Sequence, residues 1–541
     1  MTLRTVLLDG ARTGPADITD IARAGAPVSL APEGLDRAAA ACEAAREIAR
    51  HRPVYGRTTG VGANRTEDVA AADGDAHGLR LLRSHAGGIG ALVPAEQARA
   101  MMAVRANQIL AGGAGLQPAF AEALAHALNT GHLPAVHEVG AIGTGDLTAL
   151  AETGLTLVGE LPWTGGRGAA PAPITLAAGD ALALCSSSAL TIGQAALAWS
   201  QIAALLRATQ VVAALSLLAV DGGAEAYDEE VHAARPHPGA VAVATEMRRL
   251  LTPSPLPPPT PTFDPTVPTP PTHTPTTPSR PTQGPTVPPP AIHGSMPTPA
   301  GEGVPFLGGS PAPPARIQDP FGYRCLPQVH GPAVEGVSAL ERVLGIEINA
   351  AAENPLISAA GGTVHHHGGF HQASLGLTLD HLRIALLHTA HLSTARLATL
   401  VEPAFTGLRP FLAEGAAGSS GVMILEYAAS SALAELRNAA FPAALGHAVL
   451  SRGVEDHAGF ASQSARQTLR AAASYRLVLA CELVAAVRAL RQRGLGPAIA
   501  ATPAGAAYAL AAARLDPRDE DRPLTADTET AAALLDTFAT L

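Results

Sequence analysis

At 541 residues and 47 % hydrophobic, the chain can bury one large core or two, and its length alone suggests about three domains. A formal charge of −10 gives no reason to expect a nucleic-acid or anionic-membrane partner. Only 3 % of residues are aromatic while alanine and leucine dominate, so the core must be built from small and branched aliphatic side chains, which favours packed helices. Cys42, Cys185, Cys325 and Cys481 show no paired spacing, which suggests neither a zinc site nor a disulfide framework and fits a reducing compartment. The N-terminus has too short an apolar run for a signal peptide, and polar residues interrupt each long apolar stretch before it could span a bilayer. The expected location is the cytoplasm.

In chain order, residues 1–30 read as an irregular or β-containing opening, with VLL at 6–8 as a strand. Helical periodicity begins at 35–52 and stops at Pro53. VYGRTTGVGANR at 54–65 is a tight glycine loop that can bring backbone amides or the Tyr55 phenol to a ligand. It lacks the lysine of a P-loop and the preceding strand of a dinucleotide fingerprint. GLRLLRSHAGGIG at 78–90 places His85 at a helix end, where a histidine serves a hydrogen-bonded core more often than catalysis.

A further helix at 95–115 precedes GAIGTGDLTALAETG at 140–154, a glycine-rich loop running into a helix with Asp146 as its N-cap. Alone, this is an ordinary structural turn. Residues 155–180 look loop-like around Trp163, and 178–220 read as a long apolar helix with Ser186, Ser187 and Ser188 near its start. From Thr252 to about Pro314 the chain is rich in proline and threonine without apolar periodicity, which reads as a disordered or semi-rigid insertion.

Order resumes at RIQDPFGYRCLPQVHG, 316–331, where two prolines argue for a held loop presenting Arg324 among Gln318 and Phe321. An arginine so placed can grip a carboxylate through two parallel hydrogen bonds; the alternative is a structural ion pair. EINAAAENPL at 347–356 closes a helix with a turn at Asn354-Pro355. HHHGGFH at 365–371 clusters imidazoles, but its glycines disfavour a helix and no HExxH glutamate is present, so no metal is expected. Long helices fill 374–401, 422–437 and 463–493, and SRGVEDHAGF at 451–460 carries Glu455, Asp456 and His457, either acid/base groups or favourable charges at a helix start.

Together VYGRTTGVG, SHAGGIG, GTGDLTALA, QDPFGYRCLPQVHG, ENPL, GGFH and VEDH, in that order, resemble the signature stretches of the histidine and aromatic amino-acid ammonia-lyase family over about residues 30–500. The resemblance implies a mainly α protein with a central bundle of long antiparallel helices and an N-terminal loop-rich catalytic domain. It also implies a homotetramer whose active sites draw on several subunits. The family's electrophile, 4-methylideneimidazol-5-one, forms autocatalytically from an Ala-Ser-Gly loop and needs no external cofactor; here the loop is Gly143-Thr144-Gly145. By the same resemblance Tyr55 is the base for the β-proton, Arg324 binds the substrate carboxylate, His85 and Glu455 match the histidine-specific branch, and Gln318 and Asn354 support the site. The implied partner is an amino-acid substrate, L-histidine or a related aromatic amino acid.

The departures are Thr144 for the family's serine, Gly143 for alanine, Phe321 for tyrosine, Ser186 for asparagine and Gly369 for asparagine. A threonine-derived electrophile would carry a methyl on the carbon that the amine attacks. An aminomutase, a lyase of an unusual substrate, and a non-catalytic binding or assembly homologue therefore stand beside the lyase. The expected organisation is a loop-rich domain at 1–180, a bundle from 181–251 and 315–500, the insertion at 252–314 and a tail at 501–541.

Overall fold

The computed structural model describes residues 3–70, 74–253 and 316–541; the insertion expected at 252–314 lies almost wholly outside the described residues. Helices dominate, as the alanine- and leucine-rich composition requires. The helices that position the site are α1 (Gly74–His85), α2 (Ala95–Ala111), α3 (Leu147–Leu157), α4 (Ala189–Ala219), α5 (Leu326–Glu347), α6 (Ala373–Leu400) and α7 (Ala461–Gln492). Strands among the described residues form two-stranded ribbons only. Val6–Leu8 pairs in parallel with Val28–Leu30, while Ile89–Leu92 with His137–Val139, His132–Pro134 with Trp163–Gly165, and Leu356–Ser358 with Thr363–His365 are antiparallel.

Small residues let the helices approach. A Cβ on Gly193 of α4 would lie 2.9 Å from the Ala100 carbonyl carbon of α2, so the two backbones meet where only glycine fits. The stretch Asp180–Ala219 is long and apolar enough by length and composition to cross a bilayer, contrary to the sequence expectation. Its α4 part is buried on almost every side within the bundle, the position of a core helix.

The bundle is not antiparallel throughout. Thr209 meets Tyr475 at 2.6 Å and, two turns on, Ser216 meets Glu482 at 2.7 Å, so α4 and α7 run the same way. Arg383 donates to the Ser464 carbonyl and Ser393 farther along to Glu482, which sets α6 parallel to α7. The return helix Ile424–Ala439 makes this possible by carrying the chain back, its end at Ala439 accepting a bond from Arg383 Nε. Helix α5 opposes α6: Gly336 packs on Leu382, while Glu347 at the α5 C-terminus reaches Gln372 just before α6.

Three further expectations are corrected. The stretch 316–331 is largely helical, with a short helix Phe321–Arg324 leading into α5. Pro327 occupies the first turn of α5, where no N–H is required, and Pro332 is accommodated inside the helix. Within the loop-like segment 155–180, α3 extends to Leu157 and Trp163–Gly165 pairs as a strand. The expected tail at 501–541 contains helices Pro503–Ala512 and Thr525–Phe538, the latter burying Phe538 against the bundle.

Candidate active site

The loop at 142–146 sits where the bundle helices begin. Gly143 and Gly145 have φ of +89° and +111°, a region that side chains rarely adopt. A Cβ on Gly143 would come within 2.6 Å of the Ala461 nitrogen and 2.9 Å of the Phe460 nitrogen, so backbone presses directly on the loop. Hydrogen bonds hold it taut: the Phe460 N–H donates to the Ile142 carbonyl at 2.8 Å, the Gln372 N–H to the Gly143 carbonyl at 3.1 Å, and the Asp146 N–H to the Ser187 carbonyl at 2.7 Å.

Those partners lie at the N-termini of α7, α6 and α4. Because the three helices are parallel, their positive ends converge on one short loop, and an electron-accepting group there is favoured.

Asp146 corrects the sequence reading in an instructive way. It occupies the N-cap position of α3, but its side chain makes no capping bond there. It accepts instead from the Thr191 N–H and hydroxyl, both at 2.8 Å, in the first turn of α4. The carboxyl thus pins the loop to a different helix, and burial pushes its pKa up to about 6 against the pull of those bonds.

A second cluster forms around the Tyr55 loop. The Gly62 N–H donates to the Tyr55 phenol oxygen at 2.7 Å, and the Ala63 N–H to Ser451 Oγ at 2.9 Å. Glu455 Oε1 lies 3.4 Å from where a Gly62 Cβ would sit, so Tyr55 and Glu455 flank one turn. Burial, with the Glu455 charge adding to it, raises the Tyr55 pKa, while the Gly62 bond and Arg65 oppose the rise.

Ser186 and Asn354 meet directly, the Asn354 N–H donating to Ser186 Oγ at 2.9 Å, and Asn354 Oδ1 accepts from the His367 N–H at 2.9 Å. A buried ion pair between Arg105 and Glu353, 2.6 Å, braces this turn, and Ser187 bonds Gln108 at 2.6 Å. His85 ends α1 with Nδ1 2.9 Å from the Leu81 carbonyl, on the helix packed against α3. No hydrogen bond among the described residues joins it to Thr144, Tyr55 or Glu455.

Gln318, Phe321 and Arg324 are elsewhere. Arg396 of α6 donates to the Gly322 carbonyl at 3.0 Å, which fixes their helix beside the far end of α6. Gln372 and Arg396 are 24 positions apart, roughly 36 Å at the rise of an α-helix. Arg324 and Thr144 therefore cannot hold one amino acid within a single chain. The Arg324 guanidinium stacks 4.5 Å over the Phe321 ring; its Nε is buried without a partner, and no carboxylate pairs with it among the described residues. Phe321 itself is 64 % exposed.

The imidazoles disperse to separate partners. His367 Nε2 bonds the Glu353 carbonyl, and His371 Nε2 lies 2.9 Å from His457 Nδ1. Among the described residues, no group of three or more His, Cys, Asp or Glu is placed to hold a metal.

Sequence reasoning missed Gln372, Thr191 and Ser451. Ser451 shares its short polar loop with Glu455 and Gln372 directly follows GGFH, so position alone could have flagged both; nothing local points from Asp146 to Thr191.

The family model for aromatic amino acid lyases matches residues 14–513. The chain is similar to the histidine ammonia-lyase of Symbiobacterium thermophilum, at 33 % identity over 97 % of this chain and 96 % of that one. It is also similar to that of Streptomyces coelicolor, at 30 % over 98 % and 97 %. Among solved structures it resembles the tyrosine aminomutase of Streptomyces globisporus, with TM-score 0.84 and 26 % identity over 99 % of this chain and 97 % of that one. The fold is shared with histidine ammonia-lyase from Trypanosoma cruzi, TM-score 0.81 at 24 % identity over 99 % and 94 %.

Proposed function

The chain belongs to the aromatic amino acid lyase family, and from that premise we propose that it eliminates ammonia from L-histidine, giving urocanate, or from a related aromatic amino acid. The observation that carries this reading is the taut Gly143-Thr144-Gly145 loop at three helix N-termini.

The loop suits cyclisation. Glycine on both sides lets the Gly145 nitrogen approach the Gly143 carbonyl carbon, and the Gln372 N–H already polarises that carbonyl. The group expected from it, a methyl-bearing variant of 4-methylideneimidazol-5-one, supplies an electrophile that makes the substrate amine a better leaving group. Gly143, Asp146 and the Ser187 carbonyl hold the loop where the group would stand.

The remaining work falls to side chains. Tyr55 takes the β-proton as the C–H and C–N bonds break and the double bond forms, releasing ammonia and an unsaturated acid. Its raised pKa makes the phenolate a strong base, and the Gly62 N–H stabilises that phenolate before it takes the proton. Glu455 is the partner for an imidazole ring. Arg324, which pairs with no carboxylate among the described residues, takes the carboxylate of a substrate bound at a second subunit's Thr144 loop, with Gln318 and Phe321 beside it.

A homotetramer with shared sites accounts for this split. Leu377 and Ile384 on α6, Ile424 and Tyr427 on the return helix, and Phe441 and Leu445 beyond it are exposed apolar side chains that neighbouring copies would cover. We place the enzyme in the cytoplasm, consistent with four free cysteines.

The test pairs mass spectrometry of the Thr144 peptide with ammonia release from L-histidine, L-tyrosine and L-phenylalanine. Loss of two waters and urocanate from histidine are expected. An unmodified peptide with no ammonia from any of the three amino acids overturns the proposal and leaves a binding or assembly protein.

A further inference from the structure

We propose that Ser451 is a positioning residue for Tyr55: its hydroxyl anchors the turn whose amide hydrogen-bonds the phenol. The proposal rests on the lyase reading only for the task that Tyr55 performs as base.

The geometry is a relay of short contacts. The turn Gly62–Asn64 gives its first amide, Gly62 N–H, to the Tyr55 oxygen at 2.7 Å and its second, Ala63 N–H, to Ser451 Oγ at 2.9 Å. Successive amides thus point at the base and at the serine, and fixing one fixes the other. The turn lies flush on the serine, since a Cβ on Gly62 would fall 2.6 Å from Ser451 Oγ.

The serine is held in a costly conformation to do this. Ser451 and Arg452 have φ of +52° and +58°, two consecutive non-glycine residues in the left-handed region. A bridge between Leu450 and Glu455 closes the loop, with N–H···O distances of 2.8 and 3.3 Å, and further bonds run from Gly453 to Leu450 and from Val454 to Ser451. Strain of this kind persists where the surroundings over-determine it, and it clusters at functional sites. Here it turns one hydroxyl toward the Tyr55 loop and keeps Glu455 on the same turn.

The charges facing Tyr55 give the hydroxyl its leverage. Glu455 opposes ionisation of the phenol and Arg65 favours it, while the His366 ring stands edge-on with its centroid 6.5 Å away. Against burial and Glu455, the Gly62 amide is the hydrogen bond that stabilises the phenolate. Releasing the turn from Ser451 loosens that bond.

Two substitutions separate the hydroxyl from the strain. Ser451→Gly accepts the left-handed backbone and deletes the acceptor, whereas Ser451→Asn tolerates the same backbone and returns an oxygen. The readout is ultraviolet titration of phenolate in the full-length protein, each Ser451 genotype measured as the difference from its Tyr55→Phe counterpart so that the other tyrosines cancel.

Ser451→Gly is expected to raise the Tyr55 midpoint by about one unit, tenfold in the ionisation constant, and Ser451→Asn to bring it back. The alkaline rise of kcat/KM should move with it. An unchanged midpoint in Ser451→Gly, or no recovery in Ser451→Asn, overturns the proposal, as does a fall in kcat/KM that is even across pH with no change in titration. The titration needs no turnover. A shifted midpoint in a protein that deaminates none of the amino acids tested leaves the positioning role standing and removes the lyase reading.

Discussion

The two ends of α6 are built on opposite principles. At the Thr144 end, backbone does the work: three helix N-termini and a buried carboxyl fix a few peptide groups. At the Arg324 end the side chains are left unsatisfied, with a stacked guanidinium, an exposed phenyl ring and a buried unpartnered Nε. The first end is tied together by bonds within the chain, whereas the second leaves the Arg324 Nε without a bond among the described residues. That difference supports the proposal that one polypeptide carries two complementary half-sites rather than a whole one.

The largest expected effect probes both halves at once. Arg324→Ala and Tyr55→Phe should each lower kcat/KM by about 10²-fold or more, although the residues lie at opposite ends of the chain's own bundle. Arg324→Ala should act mainly through KM and Tyr55→Phe mainly through kcat, which steady-state kinetics distinguishes.

Next comes the strut between the ends. Glu482 is fully buried, bonds Arg396 at 2.6 Å and collects the hydroxyls of Ser216 and Ser393. Glu482→Gln leaves the Arg396 charge uncompensated and should cost about 3–5 kcal/mol in denaturant unfolding. Because Arg396 also holds the Gly322 carbonyl, hydrogen exchange should rise first at Phe321–Arg324 and leave 142–146 protected.

Asp146 gives a pH signature to the Thr144 end. Its folded pKa is raised to about 6 from an ordinary 3.8, so the folded state binds the proton more tightly than the unfolded chain does. Stability is therefore lost as pH rises between about 4 and 6, by up to about 3 kcal/mol. Asp146→Asn should remove that component from the unfolding free energy measured across the interval. A wild-type and variant difference that does not change with pH would contradict the assignment.

Much of this was legible in the sequence, and the failures have physical causes. The long helices follow from alanine- and leucine-rich periodicity, and the glycines of 143 and 145 announce the loop because their geometry excludes other residues. Asp146 was read as capping the helix it precedes, since spacing shows only local partners; Thr191 lies 45 positions away and becomes its neighbour through the packing of α4. Pro320 and Pro327 were read as keeping the chain out of a helix, yet Pro320 stands just before one helix and Pro327 in the first turn of the next, where the N–H that proline lacks has no use. The separation of Arg324 from Thr144 is invisible in motif order, because a motif lists residues without saying which copy supplies them.

A smaller effect tests how tightly the Thr144 end is fitted. Gly143→Ala restores the residue that the resembling family carries, but here its Cβ would strike the Phe460 and Ala461 backbone at a φ of +89°. A loss of about 1–3 kcal/mol in stability, and less dehydrated Thr144 peptide by mass spectrometry, is expected.

The comparison of the two ends is tested most directly by mixing them. Tyr55→Phe and Arg324→Ala chains carrying different tags are co-expressed, assemblies containing both are isolated, and ammonia release is measured. Complementary half-sites predict recovery of about a quarter of wild-type activity on random assembly, from two variants that are each inactive. No recovery in verified mixed assemblies would contradict the account, because it would place both residues in one chain's site.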